Sequence, residues 1–135
     1  MTPAQSAIIA RLEAATGPDR ELIRDIAFAI GWRVCWGKWY SPATAAEARK
    51  SKKALPAYPA SLEPPDFIGS LDAAMMLVPE GYWWGLHMLG SKDGGFSAAV
   101  LPEDTHMEWH RGATAHLALC IAALEARWSN ERNAT

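Results

Sequence analysis

Two cysteines in 135 residues are too few for a disulfide framework. Cys35 and Cys120 each sit inside an apolar run, so the expectation is two buried free thiols in a reducing compartment. Long apolar runs are missing as well. Arg11 and Glu13 interrupt the N-terminal stretch MTPAQSAIIARLEAATG, and no run reaches the roughly 18 residues that a membrane span needs. The expected location is the cytoplasm, with no membrane partner. An excess of one charge is absent too: 13 basic against 15 acidic residues leave a formal charge of −2, which excludes the broad basic footprint of a protein that binds long nucleic acid. Any basic contact must be local. Catalytic spacing is also lacking. GSKDGG, residues 90–95, has no P-loop spacing and no helix after it, and neither cysteine has a local histidine that would mark a nucleophile. No enzyme activity and no cofactor are expected.

What is present is a globular balance, 50% hydrophobic and 21% charged residues, which predicts one domain over 1–135. Ile8, Ile9 and Leu12 recur at helical spacing before Gly17 and Pro18 stop the pattern. A second helix starts at the capping residue Asp19, carries Leu22, Ile23, Ile26, Ala27 and Ile30 on one stripe, and ends at Gly31. WRVCWGKWY then reads as a strand, on its aromatic and β-branched content. Residues 41–69 lose periodicity and hold five of the nine prolines, so they read as a long loop with at most one helical turn. Ser70 caps a third helix that Pro79 and Gly81 close, YWWGLHML and FSAAVL form a hairpin, and Leu117, Cys120, Ile121, Leu124 and Trp128 mark the last helix. The expected order is ααβ, loop, αββα, a mixed α/β (α+β) fold around a small, mainly antiparallel three-stranded sheet.

Three stretches in this order, EAATGPDRELIRDIAFAIGW, SLDAAMMLVPEGYWWGL and ATAHLALCIAALEAR, together resemble the signature blocks of the phage ABA sandwich domain family, small phage and prophage proteins. They cover nearly half of the chain. The resemblance implies an α/β/α sandwich and a bacteriophage or prophage origin, and it carries no catalytic motif. Residues 41–69 depart from it, being longer and more basic than the family's usual connection.

The candidate binding residues are the tryptophans, of which there are seven. Strand alternation puts Tyr82, Trp84, Leu86 and Met88 on one side, a set suited to the core, and Trp83, Gly85, His87 and Leu89 on the other. The same rule applied to 32–40 gives a core set Trp32, Val34 and Trp36, against Arg33, Cys35, Gly37 and Trp39. Two readings of the second face stay open. Arg33, Trp39, Trp83 and His87, with Gly37 and Gly85 leaving room, form a recess that stacks and neutralises an anionic ligand, with Lys38 and Tyr40 at its rim; or helices bury this face too. Lys50 and Lys53, within the basic run that also holds Arg49 and Lys52, add phosphate-reaching charge from the loop. His106 and His110 share the spacing of a zinc pair, with His116 nearby, yet Glu108 is out of place for a metal-bound water and solvated histidines explain the stretch as well. No metal site is assigned.

The expected function is therefore that of a non-enzymatic phage or prophage accessory protein that binds a small anionic ligand. Sequestration of a nucleotide signal of host immunity, an anti-defence role in the host bacterial cytoplasm, fits the tryptophan excess. The alternative is a protein–protein interaction module, and a homo-oligomer is expected in either case.

Overall fold

Among the described residues ten elements form, in an order set by local chemistry that the sequence spells out only in part. The computed structural model describes residues 1–17, 19–51, 63–89, 94–102 and 108–133. Helix α1, Pro3–Ala14, begins with a capping box: the Thr2 hydroxyl accepts from the Gln5 N–H at 3.1 Å, and the Gln5 side chain accepts from the Thr2 N–H at 2.9 Å. Helix α2, Arg20–Ala29, ends where Gly31 takes a φ of +110°, a left-handed value that favours glycine. Strands β1, Arg33–Cys35, and β2, Lys38–Tyr40, follow, then α3, Pro42–Ser51, and α4, Leu71–Met75. Strands β3, Trp83–Met88, β4, Phe96–Leu101, and β5, His110–Gly112, lead into α5, Ala115–Asn133. The mixed α+β class is as expected, with one two-stranded and one three-stranded antiparallel sheet.

The chain divides into two compact units, Arg20–Pro65 and the pair of segments Met1–Asp19 and Asp66–Thr135. The second, larger unit holds α1, α4, α5 and the sheet β3-β4-β5. Helix α5 is its centre. It packs on β4 and β5 and less on β3, while α1 and α4 pack on α5. All eight residues from Leu117 to Leu124 are buried, at 2% exposure or less, so the apolar stripe of the sequence widens to the whole circumference of the helix. Each large side chain buried there contributes roughly 1.5–3 kcal/mol. Ala118, Ala122 and Ala123 keep the helix slim enough to be approached from every side. Ser70 caps α4 by accepting from the Ala73 N–H at 3.3 Å, and Arg127 of α5 closes its far end by donating to the Leu77 and Met76 carbonyls.

The smaller unit departs from the expected single strand and loop. Trp36 and Gly37 both have positive φ, 53° and 75°, which is the backbone of a two-residue type I′ turn, so residues 33–40 fold into a hairpin with Cys35 opposite Lys38. The loop expected from residue 41 begins instead with ten residues of α3. Pro42 stands at its first position, where the missing N–H costs nothing, and the Ser41 hydroxyl accepts from the Thr44 N–H at 3.2 Å. At the other end of that stretch Glu63 forms a two-pronged pair with Arg24 of α2, at 2.6 and 3.3 Å. This pairing raises the pKa of the guanidinium and lowers that of the carboxyl.

Candidate functional site

The open face of the β3-β4-β5 sheet is where uncommitted side chains collect. Opposed residues in an antiparallel pair share a face, so the registers assign both sides of the sheet. Trp84 with Val100, Leu86 with Ala98 and His110, and Met88 with Phe96 and Gly112 form the side that meets α5. A Cβ placed on Gly112 would lie 2.5 Å from the Ala118 nitrogen, which fixes α5 against this side. The other side carries Trp83 with Leu101, Gly85 with Ala99 and, one residue before β5, Trp109, then His87 with Ser97 and Arg111. Trp83 is 65% and Trp109 46% exposed, and His87 and Arg111 are exposed as well.

Small residues form the floor of this face and large ones its walls. Ala99 and Ser97 are buried, and the Trp109 ring reaches across to Gly85, where a Cβ would meet its Cη2 atom at 3.6 Å. The indole therefore lies along the sheet rather than standing off it. His87 meets Trp109 edge-on, with ring centres 6.3 Å apart. Arg111 shares a row with His87, two strands and hence about 10 Å away. A flat aromatic group resting on Trp109 has a histidine at one edge and a guanidinium within reach of any phosphate attached to it. Stacking of that kind is worth roughly 1–3 kcal/mol per base.

The sequence assigned Trp83, Gly85 and His87 to one face, and the structure places them there. The remaining candidates lie in the other unit or outside the described residues. Arg33, Lys38, Trp39, Tyr40 and Lys50 belong to the smaller unit, and Lys53 lies outside the described residues. Trp39, expected to face a ligand, is instead buried at 6% exposure with its ring 4.8 Å from that of Phe28. Tyr40, expected at a rim, is buried at 5%. Trp36, expected in the core, is 97% exposed at the tip of the hairpin, and Val34 is 42% exposed, whereas Trp32 is buried as expected. The turn reverses the chain and pairs Val34 with Trp39 and Arg33 with Tyr40, so alternation counted straight through residues 36 and 37 misassigns β2; within each pair the β2 residue is buried and the β1 residue exposed. Arg33 is held by its own backbone, donating to the Trp32 carbonyl at 2.7 Å and to the Phe28 carbonyl at 3.4 Å. Lys38 and Lys50 are exposed. Trp84 and Met88, expected in the core, face α5 yet remain 47% and 72% exposed, because β3 is an edge strand and α5 sits mainly over the other two.

Trp109 and Arg111 are the residues that sequence reasoning missed. They lie in and beside a three-residue strand inside HMEWHRG, too short to show a period, although Trp109 and Arg111 do alternate with His110 and Gly112. His110 points to the helix side and lines a cavity of about 150 Å³ with Glu108, Glu125 and Ser129. His106 lies outside the described residues, as do Glu103, Asp104 and residues 90–93 of the GSKDGG stretch. Among the described residues no group of three or more histidine, cysteine or acidic side chains is placed to hold a metal ion. Burial pushes the Cys120 thiol well above its ordinary pKa, the opposite of what a nucleophile needs. No described helix is long and apolar enough to cross a membrane. Compared with known proteins, the chain matches no family model, no curated protein and no solved structure.

Proposed function

We propose that this chain is a non-enzymatic binding protein that takes a small anionic, aromatic ligand of the nucleotide class on the open sheet face. One observation carries the reading: the exposed Trp109 indole lies over Gly85 beside His87, with Arg111 on the same face. The ring offers the stacking surface, and Arg111 supplies charge-assisted bonds to phosphate. The resemblance to the phage ABA sandwich family adds the setting, a phage or prophage accessory protein in the host cytoplasm that sequesters a nucleotide signal of host immunity. Holding such a signal requires affinity without turnover, and a surface of rings and one guanidinium suits that task.

The test is titration of the purified chain with linear and cyclic nucleotides, read by tryptophan quenching and thermal shift. Binding at micromolar concentration or tighter is expected, and Trp109→Ala weakens it by roughly 10- to 100-fold, the equivalent of one lost stack. Absence of binding below micromolar concentrations, or equal affinity in Trp109→Ala, rejects the reading.

A second reading has its own observation. Trp36 stands 97% exposed on a left-handed backbone, a placement that suits an anchor for a protein partner better than a free surface. Under it, Trp36→Ala loses partner capture and leaves nucleotide binding intact.

A further inference from the structure

Among the described residues the outer side of β3 is a sheet edge. Among the described residues β3 pairs with β4 alone. The Leu89 N–H donates to the Gly95 carbonyl at 3.2 Å, and antiparallel bonding alternates, so the odd-numbered residues of β3 turn their backbone groups toward β4. Trp84, Leu86 and Met88 turn theirs outward, where no described backbone group meets them. Edge strands are ordinarily protected by lysine, proline, a bulge or an inward charge. This one has none: residues 82–89 read YWWGLHML, β3 pairs with β4 without a break, and Trp83, Trp84 and Met88 are exposed.

We propose that β3 pairs antiparallel with β3 of a second copy about a twofold axis at Gly85, joining the two sheets into one of six strands. The occupant follows from self-complementarity. A second copy brings the same outward bonding groups at the same spacing and no charge of its own between residues 82 and 89, so nothing repels. Side-chain alternation admits only registers that oppose odd with odd and even with even, and two of these, centred on Gly85 or Leu86, keep five residues of each strand paired. With Gly85 on the axis, Trp83 faces His87 of the second copy across the open face, and Trp84 faces its Leu86 on the helix side. The close crossing of about 4.5 Å between Cα atoms then falls on the residue without a side chain. With Leu86 on the axis, Gly85 faces a histidine and Trp83 falls beyond the paired residues. The Gly85 register also brings the Trp83 ring of one copy up to the His87 and Trp109 rings of the other, so the second copy extends the stacking surface.

This association does not depend on the ligand and is tested without it. Sedimentation of the full chain from micromolar concentrations upward is expected to show twice the 14.7 kDa chain mass. Trp84→Lys and Trp83→Lys weaken the dimer at least tenfold, and Trp83→Lys, at a 65% exposed position, reports even where Trp84→Lys disturbs folding. In a Cys35→Ser background Gly85→Cys becomes a disulfide-linked dimer under mild oxidation, since a Cβ at Gly85 meets nothing closer than 3.6 Å, and Leu86→Cys does not. A monomer throughout, a dimer that survives both lysine variants, or cross-linking at Leu86 in place of Gly85 overturns the proposal.

Discussion

Replacing Gly112 by alanine tests the placement of α5 on the sheet, on which the geometry of the open face depends. A Cβ at this position would stand 2.5 Å from the Ala118 nitrogen, 2.8 Å from its Cα and 3.0 Å from the Leu117 carbonyl carbon. All three are backbone atoms of the first turn of α5, so no side chain can swing aside. Carbon contacts begin near 3.5 Å, and the helix must therefore retreat from β5 by about 1 Å. A gap of that size forfeits a quarter to a half of each affected contact, and overpacking of this kind costs about 1–3 kcal/mol. For a chain of this length that corresponds to a fall in Tm of roughly 2–8 °C per kcal/mol. Differential scanning calorimetry reads the loss directly. Gly85→Ala is the control on the opposite side of the same sheet, where the nearest atom is 3.6 Å away and belongs to a side chain. If Gly112→Ala melts within about 1 °C of the parent, or no lower than Gly85→Ala, α5 does not lie on this side of the sheet.

Three further measurements probe the hairpin and the interior of α5. In the hairpin, Trp36→Asn raises stability by about 0.5–1 kcal/mol by placing an Asn-Gly turn where an exposed tryptophan now holds φ at +53°, while Trp39→Ala costs about 3–5 kcal/mol, both read by urea unfolding. If the two effects have the opposite order, the hairpin register is wrong. Cys120 tests the interior of α5 by pH. Its thiol keeps its proton in the folded chain, whereas in the unfolded chain it loses it above its ordinary pKa of 9.0, so the unfolded state binds fewer protons and stability falls as pH rises past 9. The loss, about 1.4 kcal/mol per pH unit, disappears in Cys120→Ala. Native Cys120 also resists alkylation at pH 8 while the half-buried Cys35 reacts. An equal pH slope in the parent and Cys120→Ala refutes the burial.

How much of this was legible in the sequence depends on how far each signal extends along the chain. Helices α1, α2 and α5 and the β3-β4 hairpin rest on patterns of ten residues or more, and they stand where periodicity and capping residues put them. The errors come from features one or two residues wide. Gly37 reads in the sequence as space between rings, and it is half of a turn that puts Trp36 at the hairpin tip and sets Trp39 opposite Val34. Pro42 reads as a loop residue, yet after a serine it starts α3. The site suffered more than the fold because β5, which brings Arg111 and the neighbouring Trp109 to the open face, exists only by pairing with β4, and its three residues carry no period of their own.

The exposed tryptophans and the buried helix are two results of one arrangement. Because α5 runs through the middle of its unit with α1 and α4 on it, the apolar demand of this core is met from one side of the sheet, by residues as small as Ala98 and Gly112. The other side buries the small residues Ala99 and Ser97, yet it carries exposed Trp83 and Trp109 where a solvated sheet would carry threonine, lysine or glutamate. Large rings exposed in water weaken solubility and add little to folding, so their presence beside an uncharged edge calls for contacts that the described residues do not make. The ligand proposed for Trp109 and the second copy proposed along β3 would supply such contacts at different atoms, the first at the ring face and the second at the outward backbone of Trp84 and Leu86. Both occupants can therefore be present together, and each can be removed by substitution without abolishing the other.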